Sequence, residues 1–179
     1  MADTTDDHVS ALMMLLTEQW VMSLATNGPA GPKQGHHHRP SVMHSSLIFY
    51  AVAPPNSLGD HFSPILIHAS DPRSLHSRQL RLSSAVAASI HHATPKFDEI
   101  RGVQMRGKAI MLPTSHFARE AALSIYLARH PLAAATLACG ATHQLYGLQL
   151  TWAKLTDNRR GFGLHPELQF SRQWNAPAE

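Results

Sequence analysis

The sequence predicts a mainly β domain of the α+β class: a small antiparallel barrel, closed or partly closed, with helices at its periphery. Three observations predict it. Six segments are rich in β-branched, aromatic and other apolar residues or alternate apolar with polar ones. Turn-forming residues separate most of them. The helical stretches stand singly before or between strands, which favours an antiparallel barrel over a parallel sheet with crossover helices. With 179 residues, one hydrophobic core is the default, so residues 1–179 are expected to form a single domain.

The elements follow in chain order. Val9, Leu12, Met13, Leu16 and Trp20 recur at helical spacing behind an acidic entry, which predicts an amphipathic helix over 8–19. A strand over 21–26 is expected to stop at Asn27-Gly28-Pro29, because Asn and Gly tolerate positive φ, with a polar loop over 30–40. Strands over 45–52 and 64–69 flank a Pro-rich joint that reads as a long hairpin loop. Ser70-Asp71-Pro72-Arg73-Ser74 then switches strand to helix, and the helix is expected to run to about Leu82.

Strands over 85–91 and 101–112 come next. In the second, Val103 and Met105 alternate with Gln104 and Arg106, and Gly107 marks a bulge or tight bend. A helix over 115–127, capped by Thr114 or Ser115 and offering Ala122, Ile125 and Tyr126 for packing, ends at His130-Pro131. A short helix over 132–139 and a last long strand over 145–155 complete the reading.

Composition narrows the function. Hydrophobic residues make up 44% and charged residues 15% of the chain, so uncharged polar groups and 14 histidines must cover much of the surface. So little charge points to a buried subunit interface and hence to a homodimer. The net charge of +3 comes without a basic run, and nucleic-acid binding is not expected. No apolar run reaches the ~18 residues of a bilayer span, so no membrane association is expected. A lone cysteine, Cys139, and an acidic stretch from Met1 to Asp7 fit a reducing cytoplasm.

Several clusters could carry chemistry. Ser70, Ser74, His76 and Arg78 surround the strand-to-helix switch, where hydroxyls, cations and free amides suit a phosphate; ordinary helix capping accounts for the same residues. Gln104 and Arg106 share one face of their strand and suit the polar edge of a planar ligand, although a bare solvated face reads the same way. His36-His37-His38, with His44, His61 and His68 as candidate companions in space, suggests metal, but neighbouring residues diverge on an extended chain and no paired ligand motif supports it, so no metal is expected. Cys139 sits in an apolar run, as a small core residue would, and no nucleophile elbow or P-loop is present.

The ordered run of a strand, Ser70-Asp71-Pro72-x-Ser74-x-His76, a helix, Val86-Ala87-Ala88-Ser89-Ile90 and Arg101-Gly102-Val103-Gln104-Met105-Arg106-Gly107 resembles the pyridoxamine 5′-phosphate oxidase-like FMN-binding split barrels, and within them the YhbP-like family. The closing Lys154-Leu155-Thr156-Asp157-Asn158 and Gly161-Phe162-Gly163 are similar to the same family. The resemblance implies a six-stranded antiparallel split barrel, dimeric, with FMN at the subunit interface and a small-molecule substrate for an FMN-dependent oxidoreductase. It implies that Ser45, Ser46, Leu47 and Tyr50 lie along the ring-facing strand, Ser70, Ser74 and His76 at the phosphate, and Gln104 and Arg106 on the later strand. The pattern usually has lysine at His76 and arginine at Ser45, so this chain brings less positive charge to the phosphate. It lacks the family's Arg-x-His substrate motif, which argues against vitamin oxidation. The alternatives are a haem-binding split barrel, with a histidine as axial ligand, and a cofactor-free regulatory or stress-related dimer.

Overall fold

The computed structural model describes residues 4–29, 41–54, 56–59, 63–138, 143–163 and 165–171. His36, His37, His38 and Cys139 lie outside them. The helices are α1 (Thr4–Glu18), α2 (Leu75–Leu80), α3 (Arg119–Arg129) and α4 (Ala133–Ala138). The strands are β1 (Val21–Pro29), β2 (Ser41–Phe49), β3 (Ala51–Val52), β4 (Ile65–Ser70), β5 (Ala85–His91), β6 (Arg101–Met111), β7 (Gln144–Asp157) and β8 (Glu167–Gln169).

The pairings between these strands are antiparallel and join them into one sheet of order β2-β1-β5-β6-β7-β4-β3, with β8 on β7. The sheet curls into a half-barrel. Among the described residues eight strands stand where six were expected, because a break at Tyr50 splits one predicted strand into β2 and β3 and because β8 is too short to leave a periodic signal.

The alternation of Gln104 and Arg106 with Val103 and Met105 does what period-2 patterning requires. Val103 and Met105 are buried with Leu12, Leu16, Leu24 and Leu150, while Gln104 and Arg106 face out. A second cluster forms where Ala118, Ala122 and Tyr126 cover Ile65, Ile67 and Leu145. The register slips between Arg106 and Gly107, and a Cβ on Gly107 would stand 2.1 Å from the carbonyl oxygen of Gln149. Only glycine permits that approach.

Two expectations are corrected. Asn27-Gly28-Pro29 is strand, paired in register with Met43, Val42 and Ser41 respectively, because tertiary pairing overrides local turn preference. The helix expected over 115–127 starts at Arg119 behind Ala118, which makes no side-chain cap, and Thr114 and Ser115 form a turn.

Candidate functional site

The ladder registers sort the predicted site residues between the two faces of the sheet. Directly opposed residues of antiparallel strands share a face. Leu47, Ser23, Ser89 and Gln104 form one row on the outer face, and Ser45, Ala25, Ala87, Arg106 and Trp152 form the next. Ser46 points the other way, in register with buried Leu24.

The outer rows enclose a shallow trough of about 400 Å³. Its floor is Ser23, Ala25, Ala87 and Ser89, none longer than a hydroxymethyl group, so a flat molecule could lie close to the backbone. Gln104, Arg106 and Trp152 wall one side and Ser45 the other. The Arg106 guanidinium lies 4.2 Å from the centre of the Trp152 ring, a cation–π contact that fixes its plane. The indole Nε1 in turn donates to Glu167 at 3.0 Å, so β8 positions this wall. Beyond the floor, Leu47, Met43 and Phe49 are exposed on β2.

On the inner face β2, β4 and α2 converge on His76. Its Nδ1 lies 3.0 Å from Ser46 Oγ, which is also 2.9 Å from His44 Nε2. Its Nε2 is hydrogen-bonded to Ser70 Oγ and lies 3.1 Å from Ser74 Oγ. The His44 and His76 rings are parallel, with centroids 6.3 Å apart. Ser74 caps α2, accepting from Ser77 N at 3.2 Å and donating to Asp71 O at 2.7 Å. The chain of groups His44, Ser46, His76 and Ser70 can pass a proton along its length. It can hold an anion once His76 is charged.

Burial makes that protonation costly. His76 is pushed below the usual histidine range by loss of solvent and by the nearby His44. His68, two residues before Ser70 on β4, is fully buried and stacked on Tyr146 with ring centroids 5.1 Å apart. Neither of its ring nitrogens has a hydrogen-bond partner among the described residues, and burial followed by repulsion from His76 pushes its pKa down to about 3.

The predicted residues are thus placed as two groups. Ser46, Ser70, Ser74 and His76 come together inside, and Ser45, Leu47, Gln104 and Arg106 lie outside. Tyr50 joins neither: it is fully buried, and its hydroxyl donates to the Leu16 carbonyl at 2.6 Å, which ties α1 to the sheet. The expected helix past the switch is only six residues long, ending at Leu80 instead of Leu82. So short a helix adds little dipole to an anion site.

Sequence reasoning missed Gln79, and it considered His44 only as a companion of the histidine run and not beside Ser46 and His76. Buried Gln79 accepts from Thr26 Oγ1 at 2.6 Å and donates to the carbonyls of Gly28 at 3.1 Å and Val42 at 2.9 Å, which pins α2 to β1 and β2. The available signal was weak: a glutamine in a short helix, and a histidine two positions from a serine already singled out.

No family model and no curated protein matches the chain. Solved structures do. A haem-binding protein from Mycobacterium smegmatis superposes with a TM-score of 0.61 at 14% identity, over 87% of this chain and 55% of its own, so this chain spans about half of it. A FAD-binding protein from Mesorhizobium loti gives 0.56 at 15% identity, over 81% and 89% of the two chains. A Clostridium acetobutylicum protein related to general stress protein 26, of the pyridoxinephosphate oxidase family, gives 0.56 at 8%, over 92% and 95%. With order, register and both faces of the sheet in view, these likenesses show the fold: the chain is a split barrel of the kind found in flavin-binding and haem-binding proteins.

Proposed function

We propose that this protein is an FMN-binding flavoprotein, an oxidoreductase for a small molecule, and that it works as a homodimer with the cofactor at the subunit interface. The observation that carries the reading is the outer trough. A floor of Ser and Ala from two strands suits an extended planar ring, and the Gln104 amide with the Arg106 guanidinium offers the donors and acceptor that a flavin's pyrimidine edge requires. The phosphate would be held by Ser46, Ser70, Ser74 and His76. Bound FMN supplies hydride and electron transfer, and the protein supplies orientation and electrostatics.

The chain's own residues divide the remaining work. Gln104 fixes the ring's orientation, Trp152 holds Arg106 in plane against it, and the small floor excludes water beneath it. His76 takes up a proton as the phosphate dianion arrives, because a neighbouring anion favours imidazolium. The two groups lie on opposite faces of one sheet, and Gln104 stands three strands, about 14 Å, inward from β2. Pairing the trough of one protomer with the switch of its partner brings both to a single cofactor. The exposed apolar side chains of β2 support such an interface.

Haem is the second reading, favoured by the likeness to the M. smegmatis protein. Against it, no histidine lines the trough among the described residues. Parallel titrations with FMN and haemin decide. The proposal expects quenching of flavin fluorescence with one FMN bound per chain and an absorbance band near ~450 nm. Absence of FMN binding together with a Soret band on haemin addition overturns it in favour of haem.

A further inference from the structure

A cavity of about 120 Å³ lies between α1 and the ends of β6 and β7, and it shares no lining residue with the trough or the His76 cluster. Its floor is apolar, made by Ala11, Met14 and Leu15 of α1 with Leu155 and Pro166. Its rim is cationic, with Arg101, Arg159 and Arg160. Nothing in the flavin proposal uses it.

The charges at the rim do not cancel. Arg101 pairs with Glu18 at 2.8 Å, and Arg159 with Asp157 at 2.7 Å. Asp157 is held below the usual carboxylate range, first by its hydrogen bonds from Arg159, so it stays ionised beside that residue. Arg160 makes only a looser 3.7 Å approach to the same carboxylate, and its side chain is 56% exposed. Glu99 also reaches Arg159 with its charge but is paired with Lys96 at 2.7 Å. Among the described residues three guanidinium groups are therefore left with two carboxylates, and Arg160, the most loosely paired, stands at the mouth of an apolar pit.

We propose that this cavity binds a small monocarboxylate with an apolar body, its carboxylate on Arg160 and its body on the Ala11, Met14, Leu15 and Leu155 floor. The cavity is somewhat smaller than the roughly 150 Å³ space that accepts benzene. One net positive charge matches one carboxylate, and the planar guanidinium matches its geometry with paired hydrogen bonds. A bare inorganic anion would leave the apolar floor unfilled, and a neutral ligand would leave Arg160 unmatched.

Calorimetric titration of the full chain with benzoate tests this. Benzoate should saturate the protein in the millimolar range, about tenfold tighter than benzyl alcohol, and a large excess of inorganic phosphate should not displace it. Arg160→Gln should weaken benzoate about tenfold with the unliganded melting temperature unchanged. Ala11→Leu, which fills the floor, should abolish binding; if that variant does not fold, Arg160→Gln carries the test alone. No saturation by about 10 mM benzoate, equal affinity in Arg160→Gln, or displacement by phosphate overturns the proposal.

Discussion

The two faces of the sheet around β2 solve opposite problems. Inside, His44, Ser46, Ser70, Ser74 and His76 satisfy one another, and Gln79 makes three hydrogen bonds that lock α2 to the sheet. Outside, Gln104 and Arg106 border a floor of small residues and are satisfied by solvent or by the Trp152 ring. The inner face therefore converts substitutions into stability changes. The outer face can convert them into binding changes alone.

That contrast can be broken or sharpened by substitution. The largest effect is expected where the two faces depend on one residue. Gly107→Val drives a side chain into the Gln149 carbonyl and should cost about 3 kcal/mol or more in a urea titration, spoiling the slip that sets Arg106 beside Trp152. Gln79→Leu should come next, at about 3 kcal/mol, since it strands the Thr26 hydroxyl and the Gly28 and Val42 carbonyls.

His68→Leu should act in the opposite direction, stabilising the fold by about 1–2 kcal/mol at neutral pH, because it replaces a buried imidazole without partners by an apolar side chain. The pH dependence has a fixed sign. The folded pKa near 3 lies below the unfolded value near ~6.5, so the unfolded chain binds the proton first and stability falls as pH drops from ~6.5 toward 3. His76, shifted the same way, adds to that loss. Urea midpoints measured across this window should slope less steeply in His68→Leu than in the wild type. An unchanged slope would remove His68 from the account.

The smallest stability effect is expected outside. Ala87→Trp fills an exposed floor position and should leave the melting temperature within about 2 °C while abolishing FMN binding.

The sequence made some of this legible and hid the rest for physical reasons. The alternation of Gln104 and Arg106 with Val103 and Met105 is a local consequence of a half-buried strand, and Gly107 announced its own bulge. α1 was readable from Leu12 and Leu16. Asn27-Gly28-Pro29 misled, because its turn preference gives way to the pairing with β2 and to the bond from Gln79 to the Gly28 carbonyl, set by residues far along the chain. Tyr50 lies close to Ser45, Ser46 and Leu47 in sequence but falls at the break between β2 and β3, where its side chain turns into the core. The division of the site between two faces depends on parity within each strand. Ser45 and Ser46, adjacent in sequence, point to different faces for that reason alone.

The central claim is that trough and switch serve one cofactor from two protomers, and mixing two defective variants tests it directly. Ser74→Asp keeps a good helix cap but sets a negative charge at the phosphate, and Ala87→Trp closes the trough. Each alone should fail to bind FMN. Co-refolded in equal amounts, about half the dimers pair unlike protomers, each with one intact site, so about a quarter of wild-type FMN binding should return. No recovery in a mixture shown to contain mixed dimers would contradict the account and place both groups' work within a single chain.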